Sequence, residues 1–202
     1  EGTCSNLHDL SDRPFNLAID AYHLNSEQYE QLINPSLILT LPSNIQYLNS
    51  RLVHLNRLVN LIYTLTQADW IGIYRVIQAD DELGLLKEAY LGEPSRAIFP
   101  LTQEFTLKST NSWVGLNGRL RSISNTRVRD EGVSYYECSG SVQSEICIPI
   151  LKHITSSDNQ KNEWRVVGII DLESWNVNHF TPQMIIDVLE VGYSLGNSEE
   201  YL

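Results

Sequence analysis

WIGIYRVIQADDELGLLKEAYLG, residues 70–92, decides the fold class of this chain. Its first eight residues are rich in aromatic and β-branched side chains, the polar turn QADDELG follows, and LLKEAYLG ends at a glycine. This pattern predicts two strands joined as a hairpin. Further strands are predicted by the same criteria at 104–108, 121–125, 144–151 and 165–174.

Helices are predicted on both sides of these strands. In SRLVHLNRLVNLIYTLTQ (50–67) the apolar residues share one helical face, and the helix is predicted to span 47–67. A middle helix is predicted with Thr110 or Asn111 as its cap, and a closing helix with Thr181 as its N-cap. Helices at the two ends of a mostly antiparallel sheet predict an α+β fold.

The first 46 residues differ from the rest of the chain. They are polar, three prolines break them into short pieces, and SEQYEQLI (26–33) is the one short helix predicted there. We therefore predict an N-terminal extension over 1–46, packed on the domain or covering a sheet edge. One domain is predicted over 47–202.

Composition argues against several functions. The chain has 14 Lys and Arg against 25 Asp and Glu, a net charge of −11, whereas nucleic-acid binding depends on clustered basic residues. No apolar run reaches the roughly 18 residues of a membrane span. Three cysteines and five scattered histidines fit neither a disulfide scaffold nor a metal site. We therefore expect a cytoplasmic protein that binds neither nucleic acid, membrane nor metal.

Acidic residues interrupt two of the predicted strands. Glu145 shares a strand face with Cys147, and Asp171 shares one with Glu173, because side chains repeat every second residue. If both faces point into one pocket, three carboxylates converge there and need a cation, such as the ammonium group of a ligand, or a shared proton. Alternatively, these acids lie on an outer, solvated face.

Two aromatic residues stand at the start of the first strand. Trp70 and Tyr74 could wall a pocket through apolar contact and cation–π attraction. Residues of this kind more often belong to the core of a domain, so the sequence leaves both interpretations open.

Four segments carry a resemblance to a known family. They are ADWIGIYRV (68–76), ECSGSVQSEICIPI (137–150), VVGIIDLES (166–174) and HFTPQM (179–184). Together they resemble a GAF domain, and specifically the free methionine-(R)-sulfoxide reductase branch of that fold, over roughly residues 50–197. The resemblance implies a mostly antiparallel central sheet with helices packed at the N and C termini.

The resemblance also implies an activity, the reduction of free L-methionine-(R)-sulfoxide in a small enclosed pocket. Cys138 would attack the sulfur and become a sulfenic acid. Glu145, Asp171 and Glu173 would bind the ammonium and sulfoxide ends of the substrate. Of these carboxyls, Glu145 or Asp171 in its protonated form would help to protonate the departing oxygen.

Trp70 and Tyr74 would then enclose the methyl–sulfur end of the substrate. No cofactor is implied beyond a thiol reductant such as thioredoxin, glutaredoxin or a small thiol. The resolving cysteines of the family have no counterpart in PLTQEFTLKSTNSWVGLNG (100–118), and Cys147 and Cys4 remain candidates for that task.

A second function is compatible with the same residues. Because the usual resolving cysteines are absent, the chain could be a non-catalytic GAF sensor or regulatory domain that binds a small amino-acid-like ligand. The amphipathic terminal helices would also allow a homodimer.

Overall fold

The computed structural model describes residues 43–79, 82–128, 140–155 and 162–198. The predicted helix at 26–33, together with Cys4 and Cys138, lies outside the described residues. In chain order the elements are α1 (Ser43–Thr66), β1 (Trp70–Ala79), β2 (Glu82–Leu91), β3 (Ile98–Pro100), α2 (Gln103–Thr106), α3 (Thr110–Asn117), β4 (Arg121–Ile123), β5 (Ser144–Thr155), β6 (Asn162–Ser174) and α4 (Pro182–Gly196).

The six strands form one sheet in the order β3-β2-β1-β6-β5-β4, and every neighbouring pair is antiparallel. The hairpin predicted at 70–92 is therefore confirmed as β1 and β2, and the predicted α+β architecture is confirmed with it. None of the helices in the described ranges is long and apolar enough to cross a membrane.

The terminal helices α1 and α4 pack on one face of the sheet. Leu55, Val59 and Ile62 of α1 are buried there against alternating strand residues such as Ile71 and Ile73. Neighbouring residues on β1 point to the opposite face, because side chains alternate along a strand. That opposite face is covered by α3 and carries a second apolar cluster, in which Trp70 and Tyr74 are both buried.

A buried ion pair joins α1 to the sheet. Glu88 on β2 accepts hydrogen bonds from Arg51 of α1 and, at 3.1 Å, from Nε of Arg75 on β1. The side chains of Arg51 and Glu88 are almost completely buried, so each charge depends on the other for compensation. This contact fixes α1 over β1 and β2.

Two sequence predictions are wrong near α2 and α3. The segment 104–108 is not a strand: Thr102 caps a short helix by accepting a hydrogen bond from the amide of Phe105, and the strand forms earlier as β3. The cap of α3 is neither Thr110 nor Asn111 but Ser109, whose hydroxyl accepts from the amide of Ser112. In both places a local capping hydrogen bond overrides the apolar pattern.

Helix boundaries elsewhere differ less. α1 begins at Ser43, four residues before its predicted start, whereas Thr181 is the N-cap of α4 as predicted and accepts a hydrogen bond from the amide of Met184. Strands β5 and β6 each extend several residues beyond their predicted limits.

Candidate ligand-binding site

The register of β5 and β6 brings the acidic residues together. Glu145 lies directly opposite Glu173, and Cys147 directly opposite Asp171, so the four side chains share one face of the sheet. Glu145 and Asp171 are only 3% and 2% exposed, and Glu173 is half-buried. The alternative of an outer, solvated face is therefore wrong for Glu145 and Asp171.

The carboxylates line a narrow cavity on the face of the sheet covered by α3. Its volume is about 20 Å³, which is room for roughly one water molecule. The lining residues are Trp70, Tyr74, Ser95, Phe99, Ser109, Thr110, Asn111, Glu145, Asp171 and Glu173. Five of the six residues singled out from the sequence thus lie on one cavity, and the sixth, Cys138, lies outside the described residues.

Strand β1 supplies the aromatic wall. Trp70 pairs with Glu173 and Gly72 with Asp171, so the aromatic and acidic rows are adjacent in the sheet. The indole Nε1 of Trp70 donates to the carbonyl of Glu93 at 2.8 Å, which fixes the ring. Trp70 and Tyr74 stand with ring centroids 6.4 Å apart, and the absence of a side chain at Gly72 leaves room for both. Both residues therefore belong to the core and line the cavity.

Gly72→Ala is expected to destabilise the protein by about 1–3 kcal/mol, the usual cost of overpacking a core. A Cβ at this position would lie 2.3 Å from Cη2 of Trp70 and 2.8 Å from Cε2 of Tyr74, so both rings would have to move. Urea unfolding measures the change. Gly140→Ala is the matched control, since nothing lies within 4 Å of its added Cβ. Equal unfolding free energies for the two variants would contradict the close packing inferred at Gly72.

The start of α3 forms the opposite wall. Thr110 donates a hydrogen bond from Oγ1 to Oε2 of Glu145 at 3.3 Å. The amides of a helix's first turn carry partial positive charge, so the N-terminus of α3 stabilises negative charge on the neighbouring carboxyl groups. This wall also carries Asn111, which hydrogen-bonds to Asp171.

Asp171 is held in its protonated form more readily than an ordinary aspartate. Burial raises its pKa well above the usual value, and the nearby negative charges of Glu145 and Glu173 raise it further, whereas the hydrogen bond from Asn111 opposes them. These surroundings favour the protonated form of Asp171, because two buried negative charges close together repel each other.

Two buried acceptor atoms on the cavity wall lack a partner. Among the described residues, neither Oδ1 of Asp171 nor Oδ1 of Asn111 has a hydrogen-bond donor. Leaving buried polar atoms unpaired costs free energy, so a group that fills this space is favoured if it brings N–H or O–H donors. Within the described ranges, no three His, Cys, Asp or Glu residues are arranged to hold a metal ion. The arrangement favours a cationic, donor-rich group.

Cys147 is a poor candidate for a reactive thiol. It is completely buried, and burial raises the pKa of its thiol well above the usual value; the negative charges of Asp171 and Glu145 raise it further, while Arg121 opposes them. The thiolate is the reactive form of cysteine, and this environment suppresses it. The observed surroundings are those of a core residue in the cluster around Ile169 and Val114.

Sequence reasoning missed a buried lysine beside the cavity. Lys87 on β2 is 2% exposed, and its Nζ donates to the carbonyl of Ser95 at 2.7 Å and to its hydroxyl at 2.9 Å. Nζ also lies 4.4 Å from the ring centroid of Tyr90 and 5.4 Å from that of Trp70. Lys87 thereby fixes the loop that brings Ser95 to the cavity wall. The sequence feature that could have revealed this buried lysine is its position in the middle of the predicted strand LLKEAYLG.

Comparisons with known proteins identify the fold. No protein-family model and no curated protein matches the sequence. The type II free methionine-R-sulfoxide reductase of Thermoplasma acidophilum superimposes with a TM-score of 0.57 at 16% identity, over 74% of this chain and 92% of that one. The corresponding reductase of Neisseria meningitidis, solved with its substrate, gives 0.56 at 15% identity over 75% and 77%.

GAF domains without a named reductase activity are equally similar. The GAF domain region of a Geobacter sulfurreducens protein superimposes with a TM-score of 0.58 at 15% identity, over 77% of this chain and 96% of that one. The fold is therefore GAF-like and resembles that of free methionine-R-sulfoxide reductases. At these identities the comparisons establish the fold alone.

Proposed function

We propose that the cavity binds the ammonium group of a free amino acid and that methionine sulfoxide bound there is reduced by Cys138. The observation that carries the proposal is that Oδ1 of Asp171 and Oδ1 of Asn111 have no hydrogen-bond donor in the described part of the chain, beside the buried carboxyl groups of Glu145 and Asp171. An ammonium group has three donors and a positive charge. It can therefore donate to both acceptor atoms and compensate the negative charge of the carboxyl groups.

The other ends of such a ligand also find complementary groups. Hydroxyl groups of Ser95 and Ser109 line the same cavity, next to the amides that begin α3, and these donors suit a carboxylate. Trp70 and Phe99 supply apolar surface for a methyl–sulfur end. A free amino acid is larger than a cavity of about 20 Å³, so its entry must displace some of the lining side chains.

The proposed reduction uses the thiol of Cys138 and the carboxyl groups of the cavity. The Cys138 sulfur attacks the sulfoxide sulfur and the sulfoxide oxygen takes up a proton; the oxygen then passes to the Cys138 sulfur as the original sulfur–oxygen bond and the transient sulfur–sulfur bond break, and methionine leaves. The net step converts thiol and sulfoxide to sulfenic acid and methionine. A first thiol then condenses with the sulfenic acid, releasing water and forming a mixed disulfide. A second thiol reduces that disulfide, so each turnover consumes two equivalents of thiol reductant.

The surroundings of Asp171 favour the protonated form that this step would use. Burial and the negative charges of Glu145 and Glu173 raise the pKa of Asp171 well above its usual value. A protonated carboxyl can donate to the sulfoxide oxygen as negative charge develops on it. Two of the similar structures are free methionine-R-sulfoxide reductases, which supports the choice of this substrate over other amino acids.

The second candidate is a GAF sensor that binds the amino acid without changing it. The observation in its favour is Cys147: within the described part of the chain it is the one cysteine, and its buried thiol resists ionisation. A catalytic cycle would then need an external thiol at every turnover. A sensor needs binding alone, which the carboxyl groups supply.

The first test compares ligands that differ at a single group. We expect free L-methionine-(R)-sulfoxide to raise Tm, by an amount corresponding to about 2.7 kcal/mol at a hundred times its Kd. N-acetyl-L-methionine-(R)-sulfoxide, which lacks the ammonium group, should leave Tm unchanged. Loss of the free sulfoxide with dithiothreitol as reductant separates the two candidates: turnover supports the reductase, and stabilisation without turnover supports the sensor. Equal stabilisation by the N-acetyl compound would contradict both.

A further inference from the structure

An apolar groove runs along α4 on the face of the sheet opposite the cavity. Its volume is about 520 Å³, and its walls include Leu151 of β5, Trp164 of β6, and Ile186, Leu189, Glu190 and Tyr193 of α4. Trp164 is 50% exposed and Tyr193 is 61% exposed. We call this surface the α4 groove. Contiguous exposed apolar surface of this kind usually marks a place that something covers.

The chain itself contains a segment suited to such a surface. From Gln31 to Ser50 the sequence QLINPSLILTLPSNIQYLNS has no charged residue. Six of the ten residues in 32–41, LINPSLILTL, are leucine or isoleucine. Leucine and isoleucine are among the residues most often buried in folded proteins. Within an extension that is polar as a whole, an uncharged and mostly apolar segment therefore immediately precedes the first described helix.

The position of α1 places this segment within reach of the α4 groove. His179, just before α4, hydrogen-bonds to the carbonyl of Thr66 at 2.7 Å, so the end of α1 lies beside the start of α4. At the other end, His54 lines a shared cavity with Leu195 and Ser198. The two helices are thus antiparallel, and the N-terminal half of α1 runs past the C-terminal end of α4.

The distances allow the chain to return to the groove. Ser43 precedes His54 by 11 residues, or about 16 Å of helix. The ten residues of 32–41 can span up to about 35 Å when extended. The C-terminal half of α4, where Tyr193 lies, is the nearer end of the groove, so the segment can fold back onto it without threading through the sheet.

We propose that residues 32–41 dock in the α4 groove of their own chain and cover Trp164, Leu189 and Tyr193. The segment contributes no charge. Glu190 lines both the α4 groove and the cavity between α1 and α4, so it lies at the edge of the groove. Tethering raises the effective concentration of the segment at the groove into the millimolar range, which favours it over a separate partner. The N-terminal extension thus completes the apolar packing of the domain.

Photo-cross-linking in the full-length chain tests this docking. With p-benzoylphenylalanine in place of Tyr193, illumination is expected to give an intramolecular cross-link to a peptide containing residues 32–41, with a yield that does not change on serial dilution. The same photoreactive residue at Leu107, which is 69% exposed on the other face of the sheet, should give no cross-link to that peptide.

A substitution in residues 32–41 supplies the second arm of the cross-linking test. Ile38→Asp would bury a charge against apolar side chains, so the cross-link yield should fall about tenfold or more, while Ile38→Val should keep it. Cross-links between two chains that increase with concentration would replace the proposal by a dimer through this face. No cross-link to residues 32–41, with cross-links only to the groove's own residues such as Trp164 or with none at all, would overturn it outright.

Discussion

Asp171→Asn is expected to weaken binding of free L-methionine-(R)-sulfoxide about a hundredfold and to stabilise the ligand-free protein. Losing one partner of a buried charge pair costs roughly 2–5 kcal/mol of binding free energy, which sets the size of the first effect. Asn keeps the shape of Asp but cannot lose a proton, so it cannot supply the negative charge that would compensate the ligand's ammonium group.

The second effect follows from the surroundings of Asp171. Asp171 is 2% exposed, faces two further acids and has an acceptor atom without a partner among the described residues. An amide at this position carries no charge to desolvate, and its NH₂ group can donate to Glu145. We expect a gain on the order of 1–3 kcal/mol, the range for relieving a poorly satisfied buried polar group.

The pH dependence of stability distinguishes this explanation from a general packing effect. The folded-state pKa of Asp171 lies above the ordinary carboxyl value of 3.8, so over the range between them the folded protein holds a proton that the unfolded chain has released. The free energy of unfolding therefore falls as pH rises from about 3.8 to the raised pKa. Asp171→Asn should flatten this part of the stability curve.

The measurements are urea unfolding between pH 4 and 8 and calorimetric binding at neutral pH. Glu163→Gln is the matched control, because Glu163 lies on the same strand, β6, but is exposed. It should change neither the slope nor the affinity. An Asp171→Asn variant that binds normally, or whose stability follows the wild-type pH curve, would remove Asp171 from the site.

Alternation along single strands was enough to predict which acids share a face. Side chains on a strand repeat every second residue, and this alone predicts that Glu145 shares a face with Cys147 and Asp171 with Glu173. Their meeting in one cavity depends on the register of β5 against β6, which sets Glu145 opposite Glu173. A shift of one residue would have sent one pair to the other face, and no local pattern in either strand excludes that shift.

The rest of the site could not be predicted because it depends on contacts distant in sequence. Lys87 reaches Ser95 through the geometry of a loop, and its burial follows from Trp70 and Tyr90, which cover it. Thr110 meets Glu145 across 35 residues of sequence. The strand predicted at 104–108 is wrong for the opposite reason, because a local contact decides the structure there. The hydrogen bond from the amide of Phe105 to Thr102 outweighs apolar alternation in so short a segment.

Cys138→Ser is expected to reduce turnover of free L-methionine-(R)-sulfoxide to the background rate of the thiol reductant, while the Tm increase caused by the sulfoxide is retained. A serine hydroxyl cannot accept the oxygen to form a sulfenic acid, whereas the acids proposed to bind the ammonium group are untouched. The thiolate is the nucleophilic form of cysteine, so turnover should increase with pH until Cys138 is ionised.

Cys147→Ala is the control that separates the two cysteines. Because Cys147 is completely buried and its thiol pKa is raised, its loss should leave turnover with dithiothreitol unchanged and cost only the packing of one small side chain, about 1 kcal/mol. Loss of turnover in Cys147→Ala with full activity in Cys138→Ser would exchange the roles of the two residues. Unchanged ligand binding in both variants, with no turnover even in the wild type, would leave the acidic cavity as the receptor site of a sensor.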